Sequence, residues 1–112
     1  MAVRGDCQHY VNVRPDGYVV VLSNNEGIIK PSHAPARMDQ SQTSDVILSM
    51  KKTPLGTEDW IGEEPRPWKF PNEWLAEYTE PMKVTWEKEG DVHTAKLTLR
   101  PGEIRVFFIR TQ

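Results

Sequence analysis

At 112 residues and 12.9 kDa the chain has room for one compact domain over residues 1–112, which excludes a catalytic barrel or a doubly wound dinucleotide-binding fold. Its 14 Lys+Arg against 16 Asp+Glu give a formal charge of -2, so binding dominated by nucleic-acid phosphates or by an anionic membrane is not expected. With 38% hydrophobic residues there is enough apolar material for one core, and the single Cys7 excludes an internal disulfide framework or a multi-thiolate zinc site.

The N-terminus MAVRGDCQHY lacks the apolar stretch of a signal peptide. The longest apolar run, Tyr18 to Leu22, is far below the about 20 residues of a spanning helix, so a soluble chain without membrane insertion is expected and its compartment stays open. Nine prolines and seven glycines, scattered along the chain, leave little room for helices and favour an all-β domain.

His9 to Arg14 reads as a first strand and Pro15-Asp16-Gly17 as a hairpin turn, Pro fixing φ and Gly tolerating the backbone a turn requires. Tyr18-Val19-Val20-Val21-Leu22 is aromatic and β-branched on both faces, the composition of a central strand covered on both sides. It stops at the turn-forming Ser23-Asn24-Asn25-Glu26-Gly27. Ile28 and Ile29 resume an apolar note, and Pro31 to Gln42, without periodicity, is expected to be a long loop. Asp45 to Lys52 is a strand with Val46, Leu48 and Met50 on one face.

From Thr57 to Gly90 there are nine acidic residues against four basic ones, with Trp60, Trp68, Phe70, Trp74 and Tyr78 set among Pro65, Pro67, Pro71 and Pro81. This is a Pro/Trp-rich acidic excursion from the sheet at about residues 57–81, with two helical turns expected between Pro71 and Tyr78. Met82 to Glu87 then reads as a strand. His93-Ala95-Leu97-Leu99 alternates with Thr94-Lys96-Thr98-Arg100, a strand with one wet face, and Pro101-Gly102 supplies a turn. Glu103 to Arg110 follows, with Ile104, Val106 and Phe108 on one face and Arg105, Phe107 and Ile109 on the other. Three such strands with short turns predict an antiparallel meander.

The expectation is therefore an antiparallel β-sandwich of about six to eight strands carrying a long ornamented loop. Val20, Leu22, Val46, Leu48, Leu97, Leu99, Ile104, Val106 and Phe108 are expected in its core.

Candidate chemistry is sparse. Cys7 lies two residues from His9, so a thiolate–imidazole pair is conceivable, yet an incidental terminal thiol explains it as well. Ser, His and Asp occur without a nucleophile elbow, and no Walker or GxGxxG sequence occurs, so neither an enzyme nor a nucleotide cofactor is expected. His93 on the apolar face reads as a hydrogen-bonded core or edge histidine. Asp16, Asn24, Asn25 and Glu26 match no EF-hand, and turn chemistry accounts for them. The aromatic group carries two readings. Trp60, Trp68, Trp74 and Tyr78 beside acidic acceptors suit a carbohydrate-binding face, because sugar C–H faces stack on rings while hydroxyls bond carboxylates. The same rings, among so many prolines, suit a plug against the sandwich or a neighbouring domain, and the sequence favours the plug.

The order of pieces GYVVVLSNNEG at 17–27, Asp45-Val46-Ile47-Leu48, TEDWIGE at 57–63 and LTLRPGEIRV at 97–106 resembles the C-terminal β-sandwich of many glycoside hydrolases. In that family a strand ending in an Asn-rich turn opens the sandwich and a hairpin of the form LxPGEIRVF closes it. The resemblance implies a non-catalytic accessory module that packs on a partner catalytic domain, so no catalytic residue is carried over. A stand-alone carbohydrate-binding or protein-interaction domain is the alternative, and Gly62 to Pro81 departs from the family pattern.

Overall fold

The computed structural model describes residues 1–29, 32–33, 37–60 and 80–111, and among these the regular structure is all β. In chain order the strands are β1 (Ala2–Gly5), β2 (Gln8–Arg14), β3 (Gly17–Ser23), β4 (Ile28–Ile29), β5 (Arg37–Met38), β6 (Ser44–Met50), β7 (Pro54–Asp59), β8 (Trp86–Glu89), β9 (Val92–Leu99) and β10 (Ile104–Thr111). They form two four-stranded sheets, β1-β6-β9-β8 and β2-β3-β10-β7, with β4 and β5 as a small separate ribbon. All pairings are antiparallel. The expected sandwich is thus present.

Its core follows from period-two alternation on the two facing surfaces. The first sheet contributes Val46, Leu48 and Met50 from β6 and Ala95, Leu97 and Leu99 from β9. Its registered row Val3–Leu48–Ala95–Trp86 places the small Ala95 between two large neighbours. The second sheet contributes Tyr18, Val20 and Leu22 from β3 and Phe107 and Ile109 from β10. Registers Val20 with Phe107 and Tyr18 with Ile109 keep these side chains on one face.

The face of β10 is the main correction. Ile104 is exposed, Val106 is half-buried, and Phe108, though buried, lies outside the core cluster. Arg105, Phe107 and Ile109 point inward in their place. Apolar content on both faces of β10 hides the inward side, and the charge on Arg105 is answered by Glu103 two residues before it and by Asp59, 46 residues away, which no local pattern displays. The meander is corrected as well. β8 and β9 pair, but β10 belongs to the other sheet, so Arg100 to Glu103 carries the chain from one sheet to the other. The Glu103 N–H donates to the Arg100 carbonyl at 3.1 Å and Gly102 has φ +72°, the geometry of a type II turn with Pro101 at its second position. The same turn serves a hairpin or a crossing.

Other boundaries move. Residues 81–85 are not strand, which begins only at Trp86. Thr57 to Asp59, expected in the excursion, form the end of β7 and pair with Phe107 to Ile109. β1 was not expected, and the long loop after Ile29 contains β5, which pairs with β4. β3 is covered fully on its inner face and only partly on its outer one, where Val19 and Val21 are half-buried. The helical turns expected between Pro71 and Tyr78 lie outside the described residues.

One polar residue ties the two sheets together, and another holds the connection from β1 to β2. Buried Asn24, just past β3, donates from its side-chain amide to the carbonyls of Gln42 at 3.0 Å, Leu99 at 3.3 Å and Arg100 at 3.1 Å. Its Oδ1 accepts from the Glu26 N–H at 3.1 Å, so the turn residue doubles as a bolt across the end of the sandwich. The Ser44 hydroxyl donates to the Asp6 carbonyl at 2.6 Å. At the β2–β3 hairpin Gly17 is required by close approach, because a Cβ there would stand 2.0 Å from the Ile109 carbonyl oxygen. Gly17→Ala is expected to cost more than about 1 kcal/mol and lower Tm by at least about 4 °C in a thermal melt. Gly56→Ala, where a Cβ meets open space, is the control and should leave Tm within a degree or two of the parent.

Candidate interaction face and its support

Asp59 and Glu80, which lie on either side of residues 61–79 in the chain, are joined by a buried ionic group. Arg105 and Glu103 lie on the inward side of β10 and the turn before it, and Asp59 ends β7. The Arg105 guanidinium donates from Nε to Glu103 at 2.7 Å and from Nη1 to Asp59 at 2.9 Å. Nη1 also donates to the Glu80 backbone carbonyl at 2.8 Å, and Asp59 accepts from the Met82 N–H at 2.8 Å. Glu80 and Met82 are therefore both tied to the β7 end. Arg100 donates its backbone N–H to Glu103 at 2.7 Å and reaches Glu80 as well as Glu103 through its guanidinium. The hydrogen bond that the Arg100 guanidinium donates to Glu103, ahead of the one it donates to Glu80, holds it even more firmly charged than usual. Glu80's own backbone N–H and then the Arg100 hydrogen bond hold the Glu80 carboxyl below the ordinary value.

This support presents Trp60 on the outer surface of the second sheet. The Trp60 N–H donates to the Val106 carbonyl at 2.8 Å, extending the β7–β10 ladder by one residue. Its ring stacks on Phe108, with centroids 5.7 Å apart and planes at 15°. The indole N–H donates to Glu58 at 3.2 Å, while Arg14 lies over the other ring of the stack, 5.9 Å from the Phe108 centroid.

Registers carry this apolar surface across all four strands. Tyr10 lies opposite Val21, Val21 opposite Val106, and Val106 beside Trp60. In the next row Val19 lies opposite Phe108, and Ile104 extends the face towards the β3 end. Tyr10 is 64% exposed, Ile104 53% and Trp60 44%, with Val19, Val21 and Val106 half-buried between them. The outer face of a two-layer sandwich is ordinarily the polar one, whereas here the described part of that face is contiguously apolar.

Of the four residues singled out as ligand-binding, Trp60 sits on this face, whereas Trp68, Trp74 and Tyr78 lie outside the described residues. The remaining members of the face were assigned elsewhere by the sequence: Ile104, Val106 and Phe108 to the core, and Tyr10 simply to a strand. Only the strand registers assemble them.

Elsewhere the chemistry is muted. Burial, and then neighbouring Asp6, push the Cys7 thiol up, and Cys7 packs against the core, so it is a poor nucleophile at neutral pH. His9 and His33 are exposed, and half-buried His93 lies on β9 between Met50 and Lys88. A cleft of about 440 Å³ runs between β7 and residues 81–86, lined by Leu55, Thr57, Met82, Val84 and Trp86. Trp86 bridges it by donating its indole N–H to the Thr57 hydroxyl at 3.0 Å, and the Asp59 carboxylate at its border is already engaged by Arg105 and Met82.

No protein-family model, no curated protein and no solved structure matches this chain.

Proposed function

We propose that this chain is a non-catalytic accessory β-sandwich module of a carbohydrate-active protein, packing on a partner catalytic domain through the outer face of the β2-β3-β10-β7 sheet. The observation that carries the packing role is the apolar row Tyr10–Val21–Val106–Trp60 together with Ile104, exposed where a sandwich ordinarily presents polar side chains. The resemblance of the quoted segments to the accessory sandwich of glycoside hydrolases supplies the identity of the partner. Rigid backing suits such a role: the strand ladder and the Arg105–Asp59 pair hold Trp60 in place before any partner arrives. Aromatic and aliphatic residues at the centre with Arg14, Glu58 and Arg110 around them follow the pattern of an apolar patch inside a polar rim.

The alternative, direct binding of a carbohydrate, is favoured by one observation: Trp60 and Tyr10 are the exposed rings at the two ends of the row. A photoreactive phenylalanine analogue at Ile104 separates the two. In cells making the native protein, cross-links are expected to concentrate on a catalytic domain of glycoside hydrolase type, and the same probe at Lys96, exposed on the other sheet, should yield none. Equal capture from both positions, or capture of a domain without carbohydrate chemistry, defeats the reading. A saturable change in Trp fluorescence on titration with soluble oligosaccharides, lost in Trp60→Ala at unchanged Tm, would establish direct sugar binding in its place.

A further inference from the structure

We infer that β2 is a self-association edge, at which a second copy of this chain adds its own β2 in antiparallel register and joins the two β2-β3-β10-β7 sheets into one of eight strands. The inference rests on the edge of the sheet and is independent of what covers its outer face.

A sheet edge presents a row of unpaired N–H and C=O groups, and monomeric proteins blunt such edges by shortness, charge, proline, bulges or cover. Three of the four edges here are blunted. β1 has four residues and carries Arg4 and Gly5. β8 has four residues, of which Glu87, Lys88 and Glu89 are charged. β7 begins at Pro54, faces a register shift between Arg110 and Thr111, and is bordered by residues 81–86. Among the described residues β2 is neither short, interrupted nor covered. Its seven residues, Gln8 to Arg14, pair regularly with β3 along their whole length, contain no Pro or Gly, and carry one formal charge, Arg14, at the end. Two apolar side chains on it stand in water: Tyr10, 64% exposed on the outer face, and Val13, 70% exposed on the inner one.

The occupant is a second copy because the strand is its own complement. An antiparallel pair centred on Val11 sets Tyr10 opposite Asn12, His9 opposite Val13 and Gln8 opposite Arg14. No like charges face each other, and each Arg14 falls at the end of the neighbouring strand that follows Asp6. On the outer face the two Tyr10 rings become diagonal neighbours, roughly 7–8 Å apart at the backbone and within reach of each other. On the inner face Val13 is covered by the second copy's His9 and Val11. An unrelated extended peptide satisfies the hydrogen bonds equally but has no reason to match this order of side chains.

Sedimentation equilibrium of the full chain tests it, with three variants. The parent should associate to a dimer as its concentration rises through the micromolar range. Val13→Lys, an inward charge on the edge at an already exposed site, should weaken dimerisation at least tenfold while the denaturation midpoint stays within error of the parent. Ile104→Lys, a charge on the outer face away from the edge, should leave the dimer constant unchanged. Val11→Cys in a Cys7→Ser background should form an intermolecular disulfide under mild oxidation, because the two-fold axis places the two residues opposite each other at bridging distance. A parent that stays monomeric at millimolar concentration overturns the inference. So does a dimer that Ile104→Lys disrupts and Val13→Lys does not, which would place self-association on the face.

Discussion

Arg105→Ala is expected to cost about 3–5 kcal/mol, the typical effect of removing one partner from a buried ion pair. The guanidinium is buried, as are the carboxylates of Glu103 and Asp59 that it pairs, and its loss leaves two anions without their common cation. It also removes the donor to the Glu80 carbonyl, so Glu80 loses its tie to the β7 end as well. Against a total stability of about 5–15 kcal/mol for a domain of this kind, that is a large fraction. Urea unfolding checks it: the midpoint should fall with little change in the slope. The mechanism makes a second demand. In Arg105→Met/Glu103→Gln/Asp59→Asn the charges are gone, but each amide keeps an oxygen for the Arg100 and Met82 backbone N–H groups, which the carboxylates accept in the parent. Much of the lost stability should return in this triple variant. A parent-like midpoint for Arg105→Ala would mean that the buried triad contributes nothing and that Asp59 and Glu80 are held by other contacts.

The same triad shows where sequence reasoning stops. Strands β6 and β9 were legible because apolar residues recur at every second position, so Val46, Leu48, Leu97 and Leu99 announce their burial from local pattern, and β3 was legible as the unbroken apolar run Tyr18 to Leu22 that carries Val20 and Leu22. β1 and β7 were not, since Ala2-Val3-Arg4-Gly5 and Pro54-Leu55-Gly56-Thr57-Glu58-Asp59 have no alternation to read and become strands by pairing with β6 and β10. Arg105 looks outward-facing until Asp59, 46 residues away in the chain, is known to sit beside it. The Pro101-Gly102 turn was legible as a turn, but its local chemistry is indifferent to whether the next strand pairs with the last or crosses to the other sheet. The apolar outer face inherits both errors. Trp60 stood out by its type, whereas its neighbours on the face were assigned to the core because the inward side of β10 was inverted.

That inversion supplies the second large effect. Phe107→Ala is expected to cost about 3–5 kcal/mol, as truncation of a core Phe does, because the ring is fully buried in the cluster formed by both sheets. Ile104→Ala, three residues earlier on the opposite face and 53% exposed, should change stability by no more than about 0.5 kcal/mol. The contrast between the two is more telling than either value, since a strand has only two faces and a reversed assignment exchanges the results. Paired urea titrations measure it directly. Should Ile104→Ala prove the costly change and Phe107→Ala the mild one, β10 would face the other way, Ile104 and Val106 would return to the core, and the apolar row from Tyr10 to Trp60 would no longer be a surface on which a partner could pack.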